Sequence, residues 1–184
     1  MGQASDAISI RVASTADLPL LAPLELQAAA RFSDSAHRYA QELPPFDAQE
    51  LDALQRAGTV WVAVPAAADV PVGFAIAGWL GDEPYLHELD VAPAFARRGI
   101  GRALIARVAA WAGTTGCRSL LLSTFADVPW NAPYYARLGF EAVPLERYTE
   151  ALHALRAREA AAGLRVESRV IMRAPLERLL SGRT

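Results

Sequence analysis

The sequence predicts an α/β fold of α+β character, with a central, mixed and mostly antiparallel sheet of about seven strands flanked by helices. Three observations carry that expectation. The runs TVWVAV (59–64), VPVGFAIAGWL (70–80) and YLHELDV (85–91) are rich in β-branched and aromatic residues and are separated by short turns, one containing Pro and Asp and the other Gly81-Asp82-Glu83-Pro84, the pattern of consecutive antiparallel strands. Directly after them Ile100, Leu104, Ile105, Val108 and Trp111 fall at helical spacing. RSLLLST (118–124) then follows as a nearly unbroken apolar strand, as expected of one covered on both faces and parallel to its predecessor across a helical crossover.

The remaining elements fall into place around these. Alternation over Ile8–Val12 reads as a first strand, and Ser14, Thr15 and Asp17 supply cap and first-turn chemistry for a helix running to about Phe32. The helical region 33–57 is broken by Pro44-Pro45, with Asp47 placed to cap its second part (48–56) and Gly58 to end it. The helix from Ile100 is terminated by Gly113 and Gly116. After strand 118–124 a short helix over 131–138 ends at Gly139, followed by a strand over 140–143, a helix over 149–162 ended by Gly163, and a last strand over 167–173. With no internal repeat, the expectation is one domain over 8–174, a disordered N-terminal tail (1–7) and a loose C-terminal tail (175–184).

At 184 residues, 53% hydrophobic and 21% charged, the chain is suited to a single well-filled core. The longest apolar stretch, Leu18–Ala30, is interrupted by Glu25 and Gln27, so no membrane helix is expected. Residues 1–6 have no signal-peptide pattern and miss the myristoylation pattern at Asp6, and a cytoplasmic location is expected. Cys117 is the only cysteine, which excludes an internal disulfide and reads as a small core residue; no metal is expected, since His37 and His153 also lack ligand spacing. All 18 basic side chains are Arg, so phosphate-loop, Schiff-base and kinase-type lysines are absent together. The net charge of −2, with arginines scattered along the chain, argues against nucleic-acid binding. The all-arginine basic set and abundant alanine are the composition of a GC-rich bacterial genome.

The stretch from Leu86 to Trp111 carries chemistry. It is a strand, a turn ending in Arg97-Arg98-Gly99-Ile100-Gly101-Arg102, then a helix. Such a turn lets backbone N–H groups converge at a helix N-terminus, where the partial positive charge favours a phosphate or pyrophosphate. Gly99 and Gly101 permit close approach, and Arg97, Arg98 and Arg102 add charge. A dinucleotide fingerprint would need a third small residue where Leu104 stands, and a Walker motif would need a lysine. The bland alternative is that the glycines only close a tight turn and the arginines are solvated.

LDVAPAFARRGIGRALI, followed a strand later by PYYARLGF, resembles the GNAT superfamily of N-acetyltransferases, and the likeness spans roughly Ile8–Arg173. The resemblance implies a bulged fourth strand splaying from a parallel fifth, with coenzyme A held in the resulting V. Carried onto this chain, the pantetheine arm pairs along Leu89, Asp90 and Val91, and the pyrophosphate rests on the amides of Arg97, Arg98, Gly99, Ile100, Gly101 and Arg102. The co-substrate is acetyl-CoA, and the acceptor is an amine of a small molecule or a protein, attacked directly in a ternary complex by a monomer or homodimer. A non-catalytic acyl-CoA sensor on the same fold is the alternative. Ala96 stands where the family usually has Gln or Arg. Val128 stands where it commonly has Asn, which leaves Asn131 as the candidate asparagine contact to the cofactor.

An alkyl amine of pKa near 10.4 is only about 0.04% deprotonated at pH 7, so a base is needed. Glu88 is the first candidate, with His87 second and Asp90 as neighbour; in an alternating strand His87 and Glu88 cannot both face one substrate unless a bulge turns one of them. Tyr135, in YARLGF, resembles the family's general acid, which protonates the departing thiolate, whereas Tyr134 fits a packing role. Asp127, Trp130 and Asn131 either line an acceptor pocket or form an ordinary turn and cap. Phe32, Tyr39 and Trp79 either wall that pocket or belong to the core.

Overall fold

The structure, a computed structural model, describes residues 7–181. The expected N-terminal tail lies outside the described residues except for Ala7, whose carbonyl accepts the Ala66 N–H at 2.8 Å. In chain order the elements are β1 (Ile8–Val12), α1 (Leu18–Ala29), α2 (Ala48–Arg56), β2 (Val60–Pro65), β3 (Gly73–Leu80), β4 (Glu83–Val91), α3 (Ile100–Thr114), β5 (Ser119–Phe125), α4 (Ala132–Leu138), β6 (Glu141–Ala142), α5 (Glu150–Ala161), β7 (Arg169–Pro175) and α6 (Leu176–Ser181), with 3-10 turns between several of them.

The strands form one seven-stranded mixed sheet in the order β1-β2-β3-β4-β5-β7-β6. β4 and β5 are the parallel pair, in register at Tyr85–Leu121 and Leu86–Leu122; β4 runs on beyond that register to Val91. β1 and β2, β2 and β3, β5 and β7, and β6 and β7 are antiparallel. The last strand therefore slots between β5 and β6 instead of extending the edge.

The described residues divide into two compact units, one of residues 7–77 with 88–108 and one of 78–87 with 109–181. In the first, the period-two side chains Val60, Val62 and Val64 of β2 and Phe74 and Ile76 of β3 pack with Leu21 and Leu24 of α1 and Leu51 of α2. The alternate side chains Trp61, Ala63 and Ala75 are also buried, which is why both strands read as continuous apolar runs. Asp47 caps α2 as expected, accepting from the Gln49 and Glu50 N–H groups. Asp17 makes no side-chain cap on α1. Its carboxylate instead takes Arg11 Nη1 at 2.6 Å and the Ser14 N–H, and the Arg11 guanidinium holds it down to about 2.

In the second unit Leu80, Tyr85, Leu121, Val143, Leu152, Leu155 and Ile171 form the core. Beside it the buried Glu159 accepts from Ser123 Oγ, Arg156 and Arg169. Arg169 also donates to the Ser123 carbonyl and lies 4.9 Å from the Phe125 ring, so α5, β5 and β7 are joined by a satisfied charge network.

Two expectations are corrected in this unit. The loose tail from 175 is a helix over Leu176–Ser181, because Leu176 and Leu179, one helical turn apart, both bury themselves. Cys117 is half-buried and not a core residue.

Candidate active site

The phosphate-type turn lies in the first unit. Its backbone turns left-handed at Arg97 (φ 61°) and again at Gly99 (φ 79°). Successive amides in such a conformation converge into a concavity suited to an anion. Helix α3 begins at Ile100, and Ala103 N–H bonds the Gly99 carbonyl at 3.0 Å. Helix geometry then leaves the Ile100, Gly101 and Arg102 amides outside the ladder, at the positive end of a helix of 15 residues. Buried Ile100 anchors this end, whereas Arg97, Arg98, Gly99 and Arg102 are exposed. A Cβ on Gly99 would meet nothing within 4 Å, so its glycine answers to conformation, not to space. Arg98 rests its guanidinium 5.0 Å from the Phe95 ring.

The strand leading into the turn sorts its titratable residues by the pleat. Tyr85 and His87, two apart, meet edge-on at 4.9 Å in the second unit. Burial, and secondarily Arg158, pushes the His87 imidazole down to about 4, so the ring is neutral at pH 7.

Glu88 and Asp90, on the alternate positions, belong to the first unit together with Glu25 of α1. Burial, then the like charges of Glu88 and Glu25, lifts the Asp90 carboxyl well above its ordinary range, and Arg31 partly offsets them. Burial also raises Glu25, against a bond from the Phe46 N–H at 3.1 Å. Desolvation in turn lowers Arg31. The first unit thus gathers three carboxylates and a guanidinium, of which sequence reasoning singled out only Glu88 and Asp90 for the site. The available signal was Glu25 itself, a charge inside an otherwise apolar helical stretch. Leu89 and Val91 are partly exposed.

The second unit carries Tyr135 on α4. This helix ends at Gly139, left-handed at φ 103°, and Phe140 N–H reaches back to the Tyr135 carbonyl at 3.1 Å, the wrapped ending that a glycine permits. The Tyr135 ring stands edge-on to Phe140 at 5.6 Å and to Tyr134 at 5.3 Å. The carbonyl of Asn131 accepts the Tyr134 and Tyr135 N–H groups, but its side chain makes no cap bond. Asp127 is exposed, Trp130 half-buried and Val128 buried. Trp79 is exposed and edge-on to Trp111 at 5.6 Å; in the first unit Phe32 and Tyr39 are half-buried. Among the described residues no group of His, Cys, Asp and Glu could hold a metal ion, and no helix is long and apolar enough to cross a membrane.

Residues 25–140 match the model of the acetyltransferase (GNAT) family. Among solved structures the chain is similar to PaiA N-acetyltransferase from Thermoplasma acidophilum in complex with coenzyme A, at 15% identity and a TM-score of 0.67, over 92% of this chain and 99% of that one. An acetyltransferase of the GNAT family from Staphylococcus aureus Mu50 superposes with a TM-score of 0.69 at 14% identity, covering 92% of this chain and 99% of its own. The ribosomal-protein-S18-alanine N-acetyltransferase of Escherichia coli gives 0.59 at 22% identity, over 92% and 94%. At these identities the structures share the fold.

Proposed function

Because the chain belongs to the acetyltransferase (GNAT) family, we propose that it is an acetyl-CoA-dependent N-acetyltransferase acting on a primary amine of a small molecule or a protein. The observation that carries this reading is the turn with left-handed residues at Arg97 and Gly99 opening onto the start of α3. A twin phosphate needs several converging donors held without side-chain reorganisation, and this backbone supplies them. Arg97, Arg98 and Arg102 add charge around it. The backbone of Leu89, Asp90 and Val91, where β4 runs beyond its parallel register, offers amides and carbonyls to the pantetheine arm, and Asn131 is a further candidate contact.

The reaction asks two proton transfers of the protein. The ammonium form of the acceptor loses one proton to a base, its nitrogen lone pair forms the C–N bond at the thioester carbonyl, the C–S bond breaks, and the nitrogen's second proton replaces the one that the departing thiolate takes up. We assign the base to Glu88, working within the set that includes Asp90. In that set it is Asp90 whose carboxyl burial and like charge lift toward the pKa of an amine, with Glu88 as one of the charges that lift it. His87, lowered to about 4, is a poor proton acceptor at pH 7. Tyr135 returns a proton to the departing thiolate; from pKa about 10 to about 8.5 the transfer is uphill by roughly 2 kcal/mol before coupling to bond cleavage.

Calorimetry with coenzyme A, followed by thiol release from acetyl-CoA over a panel of amines, tests the proposal. Saturable binding with amine-dependent release is expected. Binding without turnover on any amine would favour an acyl-CoA sensor instead, and absence of binding would sink both.

A further inference from the structure

One side chain is missing beside the two elements assigned above to the cofactor. Gly73 opens β3, and its φ is not in the left-handed region, so conformation does not demand glycine there. Space does. A Cβ at Gly73 would stand 2.9 Å from the Asp90 carbonyl oxygen, 3.2 Å from Val91 Cγ2 and 3.3 Å from Ile100 Cγ2. The first of these contacts is to backbone, which cannot swing aside as a flexible side chain can. The neighbouring ladder bond, Ala92 N–H to the Val72 carbonyl at 2.8 Å, fixes the approach of the strands just beyond it. Asp90 and Val91 belong to the stretch assigned above to the pantetheine arm, and Ile100 is the first residue of the helix assigned to the pyrophosphate.

We propose that Gly73 is a positioning residue for coenzyme A: its bare Cα sets the spacing between the backbone of β4 and the first amide of α3. The inference rests on the assignment of those two elements to the cofactor. Pantetheine and pyrophosphate are parts of one molecule, so the elements that hold them must stand a fixed distance apart. A methyl group at Gly73 moves Asp90 and Val91, or Ile100, or both, by a few tenths of an ångström or more. Each element alone still fits its part of the ligand, but the two no longer fit it together.

The test compares wild type, Gly73→Ala and a packing control, Phe74→Leu, in the neighbouring buried position. Binding is measured by calorimetry with two probes: coenzyme A, which spans both elements, and ADP, which engages only the turn. For Gly73→Ala a tenfold or greater weakening toward coenzyme A is expected, with ADP affinity within twofold of wild type. Phe74→Leu is expected to lower the melting temperature while leaving the ratio of the two affinities unchanged. Equal weakening of both probes in Gly73→Ala, or none, overturns the proposal.

If Gly73→Ala does not fold, the double variant G73A/V91A, which removes the Val91 contact, is measured in its place with the same expected ratio. Failure of both to fold overturns the proposal as well, because the close approach then serves the core. A wild-type protein that binds no coenzyme A defeats the functional reading instead and is recognised before any variant is made.

Discussion

Phe140 holds Tyr135 twice: its ring stands edge-on to the tyrosine at 5.6 Å, and its N–H bonds the tyrosine carbonyl at 3.1 Å. Gly139, left-handed between them in sequence, makes this wrap possible, and Phe140 is itself 1% exposed. The tyrosine is thus fixed by a core residue while its own ring remains partly exposed. That suits a side chain whose phenol must meet a substrate at a set place.

Replacing Tyr135 with Phe keeps both contacts and removes only the hydroxyl. We expect kcat to fall by about 10- to 100-fold, at the low end for general acid catalysis because a thiolate departs without much help. The KM for acetyl-CoA should stay within about threefold, and steady-state kinetics decide it. An unchanged kcat would show that the phenol transfers no proton.

Gly99→Ala places a methyl in open space but in a left-handed backbone. The cost is conformational, about 1 kcal/mol, or roughly a fivefold loss of coenzyme A affinity if the turn relaxes out of shape. Calorimetry reads it directly. A loss far larger than this would mean that the methyl meets the ligand itself.

The Asp90 carboxyl titrates above its ordinary 3.8 in the fold, so the folded chain holds its proton to higher pH than the unfolded chain does. Its contribution to stability is complete below 3.8 and is lost as pH rises through the folded value. Asp90→Asn should therefore gain in melting temperature on wild type as pH increases across that window. A gap that narrows with rising pH would contradict the assignment.

His87 behaves in the opposite sense. Lowered from 6.5 to about 4, it stays neutral in the fold while the unfolded chain takes up a proton, so stability is lost as pH falls between those values. His87→Phe removes this sensitivity and keeps an aromatic edge for Tyr85. Denaturation midpoints of the two proteins should diverge below pH 6.5, with wild type the less stable; parallel curves would place the imidazole in water.

The order and kind of the elements were legible because period-two and helical patterns are local. The seven strands and the helices from Leu18, Ala48, Ile100, Ala132 and Glu150 follow from them. The edges were less so. β3 starts at Gly73 and not Val70, which is 53% exposed, since Pro71 cannot donate to a ladder. The six residues of α6 are too few to show a period, and the seating of β7 between β5 and β6 is set by long-range pairing that no window of sequence contains. At the site, the turn was readable from Gly99 and Gly101. The company of Glu25 and Arg31 with Asp90 was not, because charge and burial in the chain give no address for a distant partner.

The boundary between the compact units falls inside β4, between His87 and Glu88, and each unit is assembled from two separate stretches of chain. A single cut of the polypeptide frees either one only with a piece of the other attached. A gene fragment ending anywhere near the middle would carry both units unfinished. Chimaeras with other members should therefore tolerate a paired exchange of noncontiguous blocks and reject a simple swap of front and back halves.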